Sequence, residues 1–323
     1  MKYNTKITFI LLAMFLITQL IGIYVISFYS PTKIINGEIT NVSSPSLPFG
    51  LETPELKEQN DFNYAFASII FSFMIAISLL LFLTRFNAAF FLRLWFFLVI
   101  IISLVISLNV FAYNVDFLSQ KINLLSWNFP VSWLLAFFVA LPLAYIKIYK
   151  RNFLVHNLTE LFIYPGIAAV FVPILNIYTI IFLLILISIY DAWAVWHSGI
   201  MQKMAKYQIN KLNIFSGFFV PYVSKKVKMQ MMKMRNSNNK KLKEKKVKVN
   251  IAILGGGDVV FPIITAGVVL KTLGFLPALL VILGATLGLG YLFFFAEKRK
   301  FYPAMPFITA GIFLGIAAGY LLS

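Results

Sequence analysis

The chain has no cysteine among its 323 residues, so disulfides, a thiol nucleophile and cysteine-ligated metal are excluded and the redox compartment leaves no mark. Histidine is almost as scarce. His156 and His197 are the only two, no His-Glu-x-x-His occurs, and neither a metal site nor any cofactor is expected. Charged residues make up only 12%, with 11 acids against 28 Lys and Arg. What fills their place is apolar. At 60% hydrophobic, the composition is one that a water-soluble domain rarely shows, and the chain reads as a multi-pass integral membrane protein.

A spanning helix needs about 20 apolar residues. By that measure segments fall at Ile7–Tyr29, Asn63–Thr84, Phe91–Tyr113, Val131–Tyr149, Leu161–Ile174, Ile177–Trp196, Ile251–Thr272, Phe275–Ala296 and Pro303–Leu322. The expected fold is therefore an all-α polytopic membrane protein with nine transmembrane helices. The stretch Leu161–Trp196 is short for two crossings, and charge decides it. Lys147, Lys150 and Arg151 precede it and the run Lys225–Lys248 follows, so keeping both cytoplasmic requires an even number of crossings, with Pro173 and Asn176 as the hairpin. With the N-terminus cytoplasmic and the C-terminus extracytoplasmic, all but four of the 28 Lys and Arg lie inside, the exceptions being Lys33, Lys57, Lys121 and Lys271.

This divides the chain into a six-helix membrane part (1–197), a basic cytoplasmic loop (198–250), expected to be partly disordered, and a three-helix membrane part (251–323). The basic tract Lys225–Lys248 would meet anionic lipid headgroups of the bilayer, and no nucleic acid is expected, since no folded recognition module accompanies it. The loop Ser30–Phe62 reads as a small outer excursion whose acids are solvated.

Against this background two acids stand out. Asp191 and Asp258 are the only acidic residues well inside apolar segments, where an ionisable group costs roughly 2.5 to 3.5 kcal/mol even on the lenient insertion scale. Counted from the cytoplasmic ends of the sixth and seventh helices at ~1.5 Å per residue, both lie roughly 8 to 11 Å deep. Two carboxylates close together in a low dielectric cannot readily ionise twice, so the pair holds one proton and offers an acid and a base at once. That suits water attack on a peptide carbonyl. Gly255, Gly256 and Gly257, just before Asp258, remove side-chain bulk and let another backbone approach. Pro303-Ala304-Met305-Pro306, at the same end of the last helix, leaves backbone groups unpaired near that level.

Tyr190-Asp191 in the sixth helix, Gly-x-Gly-Asp in the seventh and a Pro-Ala-Leu-like element in the ninth together resemble the presenilin and signal peptide peptidase families of intramembrane aspartyl proteases, archaeal members most. Met305 stands where the family pattern has leucine, a swap of similar volume. The resemblance implies that Asp191 and Asp258 are the catalytic dyad, Tyr190 and the three glycines its scaffold, and Pro303 to Pro306 a substrate-positioning element. It further implies single-pass membrane proteins or peptides as substrates, running N-terminus out and C-terminus in, and an archaeal plasma membrane. A substrate helix would enter between the sixth and ninth helices and unwind.

An ion-coupled transporter is the other reading, its buried aspartates carrying protons or sodium, although no internal repeat supports it. Prepilin peptidases share Gly-x-Gly-Asp but are built from fewer helices. His156 and Glu160, at helical spacing, read as a surface pair at a cytoplasmic mouth, and His197-Ser198 as part of an interfacial cluster, with no serine nucleophile.

Overall fold

In hydrocarbon a backbone must satisfy its own hydrogen bonds, and long apolar runs do so by coiling into helices. The computed structural model describes residues 5–30, 32–35, 38–41, 45–51, 56, 58–85, 89–115, 117–124, 127–150, 152–198, 216–222, 250–296 and 302–322. Among the described residues nine long helices follow one another: α1 (Thr5–Tyr29), α2 (Gln59–Arg85), α3 (Ala89–Tyr113), α4 (Val131–Tyr145), α5 (Phe153–Phe171), α6 (Ile177–Trp193), α7 (Gly256–Thr272), α8 (Phe275–Phe295) and α9 (Met305–Leu322). Seven of them, all but α2 and α7, are long and apolar enough to cross a membrane by length and composition. The all-helical expectation needs one correction. Three antiparallel strand pairs are added: β1 (Thr32–Ile35) with β2 (Glu38–Asn41), β3 (Lys121–Leu124) with β4 (Trp127–Pro130), and β5 (Gly217–Tyr222) with β6 (Asn250–Gly255). The basic tract Lys225–Lys248 lies outside the described residues.

The turn at Pro173 and Asn176 forms as expected. α5 runs into a 3-10 turn at Val172–Ile174, and Asn176 caps α6 through a reciprocal box. Its Oδ1 accepts the Thr179 N–H at 2.9 Å, and its own N–H donates to Thr179 Oγ1 at 2.9 Å.

Two boundaries differ from expectation. α5 starts at Phe153, two turns before Leu161, because the polar residues of those turns find partners inside the protein and need no water. The segment Ile251–Thr272 is not one helix. Its first residues extend as β6 and pair with β5, and Gly255 (φ −64°, ψ 146°) turns the chain into α7.

The principal core joins α1, α5, α7, α8 and α9 with the buried face of β5–β6, where Phe218, Val220, Ala252 and Leu254 point inward. α8 and α9 meet backbone to backbone. Gly284 and Gly288 on α8 lie against the stretch of α9 that carries Gly311 and Gly315, and Gly319 lies against Pro277, the small-residue arrangement that lets membrane helices touch. A Cβ on Gly284 would run into the Gly311 carbonyl, one on Gly311 into that of Gly284, and one on Gly315 into that of Leu280.

Candidate active site

The first N–H groups of any helix lack intrahelical partners. At the start of α9 these groups are spent on a side chain. The Met305 N–H donates to Asp191 Oδ2 at 3.0 Å. The Pro-Ala-Met-Pro element therefore engages Asp191 through its backbone, which explains why methionine can stand where the family pattern has leucine. Asp191 sits near the end of α6, 9% exposed. One turn earlier, Ser188 Oγ donates to Thr309 Oγ1 at 2.8 Å, so α6 and α9 are fastened where a substrate was expected to enter between them.

Asp258 is the third residue of α7, on the half-buried side of the strand-to-helix junction. α6 and α7 pack against each other, so the two acids stand on adjoining helices. Its Oδ2 lies 3.2 Å from the place a Cβ on Gly255 would occupy. The middle glycine is the most confined of the three. A Cβ on Gly256 would meet Ser216 Oγ and Tyr164 Oη, each at 2.7 Å, whereas one on Gly257 meets nothing nearer than Phe261 Cε2 at 3.8 Å. None of the three has a positive φ, so what they supply is room.

The helix beyond Asp258 is also locally released. Pro262 has no N–H to return to the Asp258 carbonyl one turn back, and the next carbonyl, that of Val259, accepts from Gln19 Nε2 of α1 at 3.0 Å in the core. A glutamine buried in an apolar helix is the sequence signal that could have pointed to this contact.

Tyr190 does not pack under the site. It is 54% exposed on the outer face of α6, beside the ring of Trp193. Tyr164 of α5, by contrast, is buried against Gly256 and Phe218. The His156–Glu160 surface pair is likewise corrected. Glu160 is 1% exposed and ion-paired to Lys147 at 2.6 Å, and His156 is buried beside it. Lys147 and Glu160 are opposite charges flanking one turn between apolar segments, a pattern that foreshadows a buried pair.

The model of the family described as signal-peptide peptidase, presenilin aspartyl protease matches residues 39–323. Two solved structures of a presenilin family intramembrane aspartate protease, in C222 and P2 space groups, are similar in fold. The first has a TM-score of 0.57 at 16% identity, covering 98% of this chain and 99% of that one. The second has a TM-score of 0.55 at 18% identity, covering 97% of each. No match was found among curated proteins.

Proposed function

Since this chain belongs to the signal-peptide peptidase and presenilin family of aspartyl proteases, we propose that Asp191 and Asp258 are the catalytic pair with which it cleaves transmembrane segments. The chain is an intramembrane aspartyl protease; the residue assignment is supported by the packing of α6 against α7 and by the bond from the start of α9 to Asp191. No observation favours ion-coupled transport.

In this reading one carboxylate is ionised and takes a proton from water as the water oxygen bonds to the scissile carbonyl carbon. The other, protonated, gives its proton to the carbonyl oxygen. The tetrahedral intermediate then collapses with a proton delivered to the amide nitrogen, the C–N bond breaks, and an acid and an amine leave. Met305 holds Asp191 in place by a backbone donor, Gly256 lets the protein's own Tyr164 and Ser216 close in, and Gly257 leaves room beside Asp258 for a substrate main chain.

A helical substrate shields its peptide bonds, so it must be extended before attack. The edge of β6 offers the means. β5 and β6 make a two-stranded sheet, and backbone groups alternate in direction along a strand. Because Gly217 and Phe219 turn their backbone groups toward α5, Phe218 and Val220 pair with Leu254 and Ala252, and Ile253 and Gly255 present theirs outward. A strand added to that edge would run toward Asp258. Ile253→Pro removes one outward N–H and no bond to β5; we expect KM for a transmembrane substrate to rise by about tenfold, the worth of one net hydrogen bond of ~1 kcal/mol or slightly more. An unchanged KM would remove the edge from the mechanism.

The exposed side of α6, with Phe182, Ile189, Tyr190 and Trp193, is the approach this reading leaves open to a substrate helix from the bilayer. Single-pass substrates would run N-terminus out, in an archaeal plasma membrane, across a protease with nine spans and a cytoplasmic N-terminus. The absence of cysteine makes this orientation directly testable. In vesicles, a cysteine placed at Ser46 should react with an impermeant thiol reagent from outside and one at Tyr302 only after permeabilisation; the reverse pattern would invert the topology. The activity itself is read by incubating the purified protein with a single-pass substrate and identifying products by mass spectrometry, where cuts confined to water-exposed flanks would contradict it.

A further inference from the structure

β5 is held on both sides, and only one of them is a strand. On the other, a single buried turn of α5 does what a neighbouring strand would do. Asn157 Nδ2 donates to the Phe219 carbonyl at 2.9 Å, and its Oδ1 accepts the Phe219 N–H at 3.2 Å. Two residues along β5, His156 Nε2 donates to the Gly217 carbonyl at 2.8 Å, and Glu160 Oε1 accepts the Gly217 N–H at 3.3 Å. Both backbone groups of both residues are thus matched by side chains, at the spacing of alternate strand positions. Pro221, the next residue on this edge, has no N–H to satisfy.

Other features fit the same device. Lys147, in the turn that follows α4, pairs with Glu160 and so ties the clamp to a second helix. Gly217 has φ 142°, a conformation that L side chains rarely adopt, so the strand's first residue is a glycine where α5 grips it. The rings of Phe153 and His156 lie against Phe219 at 5.3 and 4.4 Å between centroids. At the far end of the pairing, Gly217 stands opposite Gly255, three residues before Asp258.

We infer that His156, Asn157 and Glu160 form a clamp that substitutes for a third strand, fixing the register of β5–β6 against α5 and thereby the peptide bond presented to the aspartates. This rests on the proposed protease reading. The clamp residues touch neither substrate nor water at the reacting carbon; they are positioning residues, acting through β5 and β6. The clamp also closes one edge of the sheet, leaving β6 as the edge a substrate can join, which is why loss of the clamp is expected to change where cleavage falls as well as how fast.

The test uses full-length Asn157→Leu, which keeps the branched side-chain skeleton and removes both bonds to Phe219. Two quantities are read. Hydrogen exchange of the Phe218, Phe219 and Val220 amides should accelerate by about tenfold or more. With a substrate that the parent protein cuts at one principal bond, the variant should spread cleavage over neighbouring bonds and lose about tenfold in kcat. A role confined to stability would lower the yield of active protein and leave the cut where it was. Unchanged protection of β5, or the same single cut at the parent's kcat, overturns the clamp. If the parent cuts no substrate, the protease reading fails on its own, and exchange still decides whether the clamp exists. Should Asn157→Leu not fold, Asn157→Asp, which loses only the donor to the Phe219 carbonyl, carries the same two measurements with the same overturning results.

Discussion

Asp258→Asn and Asp191→Asn are each expected to lower cleavage of a transmembrane substrate by about 10²- to 10⁴-fold, the usual worth of general acid–base catalysis. Neither substitution alters side-chain volume. In Asp191→Asn the new amide retains a carbonyl oxygen for the Met305 N–H, so α9 should stay in place and the variants should remain folded. In the proposed mechanism one acid is ionised while the other is protonated, so either loss disables the same step. The double variant should therefore be little slower than either single one, the non-additivity expected of groups that act as a unit. Folded variants that cleave at the parent rate would dissociate the aspartates from the chemistry; losses that multiply would mean two independent sites.

The second large effect is expected far from both carboxylates. Gly311→Leu places a side chain where the Gly284 carbonyl already lies, and neither backbone can yield without the helices moving apart. Overpacking of a fitted interface costs typically about 1–3 kcal/mol. Here the strain is delivered to α9, whose first turn holds Asp191. A displacement of even ~1 Å there is expected to cost about 10²-fold in turnover, with a lower midpoint of thermal unfolding in detergent. Gly311→Ala should fall between, and parent-like activity and melting in Gly311→Leu would mean that the α8–α9 contact does not position the site.

The features that could be read from sequence are those where chemistry is carried by a side chain of the wrong kind for its surroundings. Asp191 and Asp258 announced themselves as acids in apolar helices, and the Pro173–Asn176 turn by its breaker and its cap. The start of α5 did not, because hydropathy scores His156, Asn157 and Glu160 as if they faced water, whereas their hydrogen bonds are to β5. β6 was merged into the seventh helix for a related reason: Ile251–Leu254 is equally apolar as strand or helix, and its partner lies across the polar stretch in sequence. The grip on Asp191 was legible in part: the two prolines marked unpaired backbone groups at that level, but the donor is the N–H of Met305, and every residue but proline has one. Tyr190 was assigned by its neighbour in sequence, whereas the helical turn directs it outward and leaves the packing to Tyr164.

The β5–β6 pairing has a consequence for the chain as a polymer. The strands close a circuit around everything between Tyr222 and Asn250, and the two acids lie on opposite sides of that interval, held by packing and by the sheet. Two polypeptides, one ending beyond Tyr222 and the other beginning before Asn250, are therefore expected to reassemble into one protease when made in the same membrane, with neither piece cleaving substrate alone.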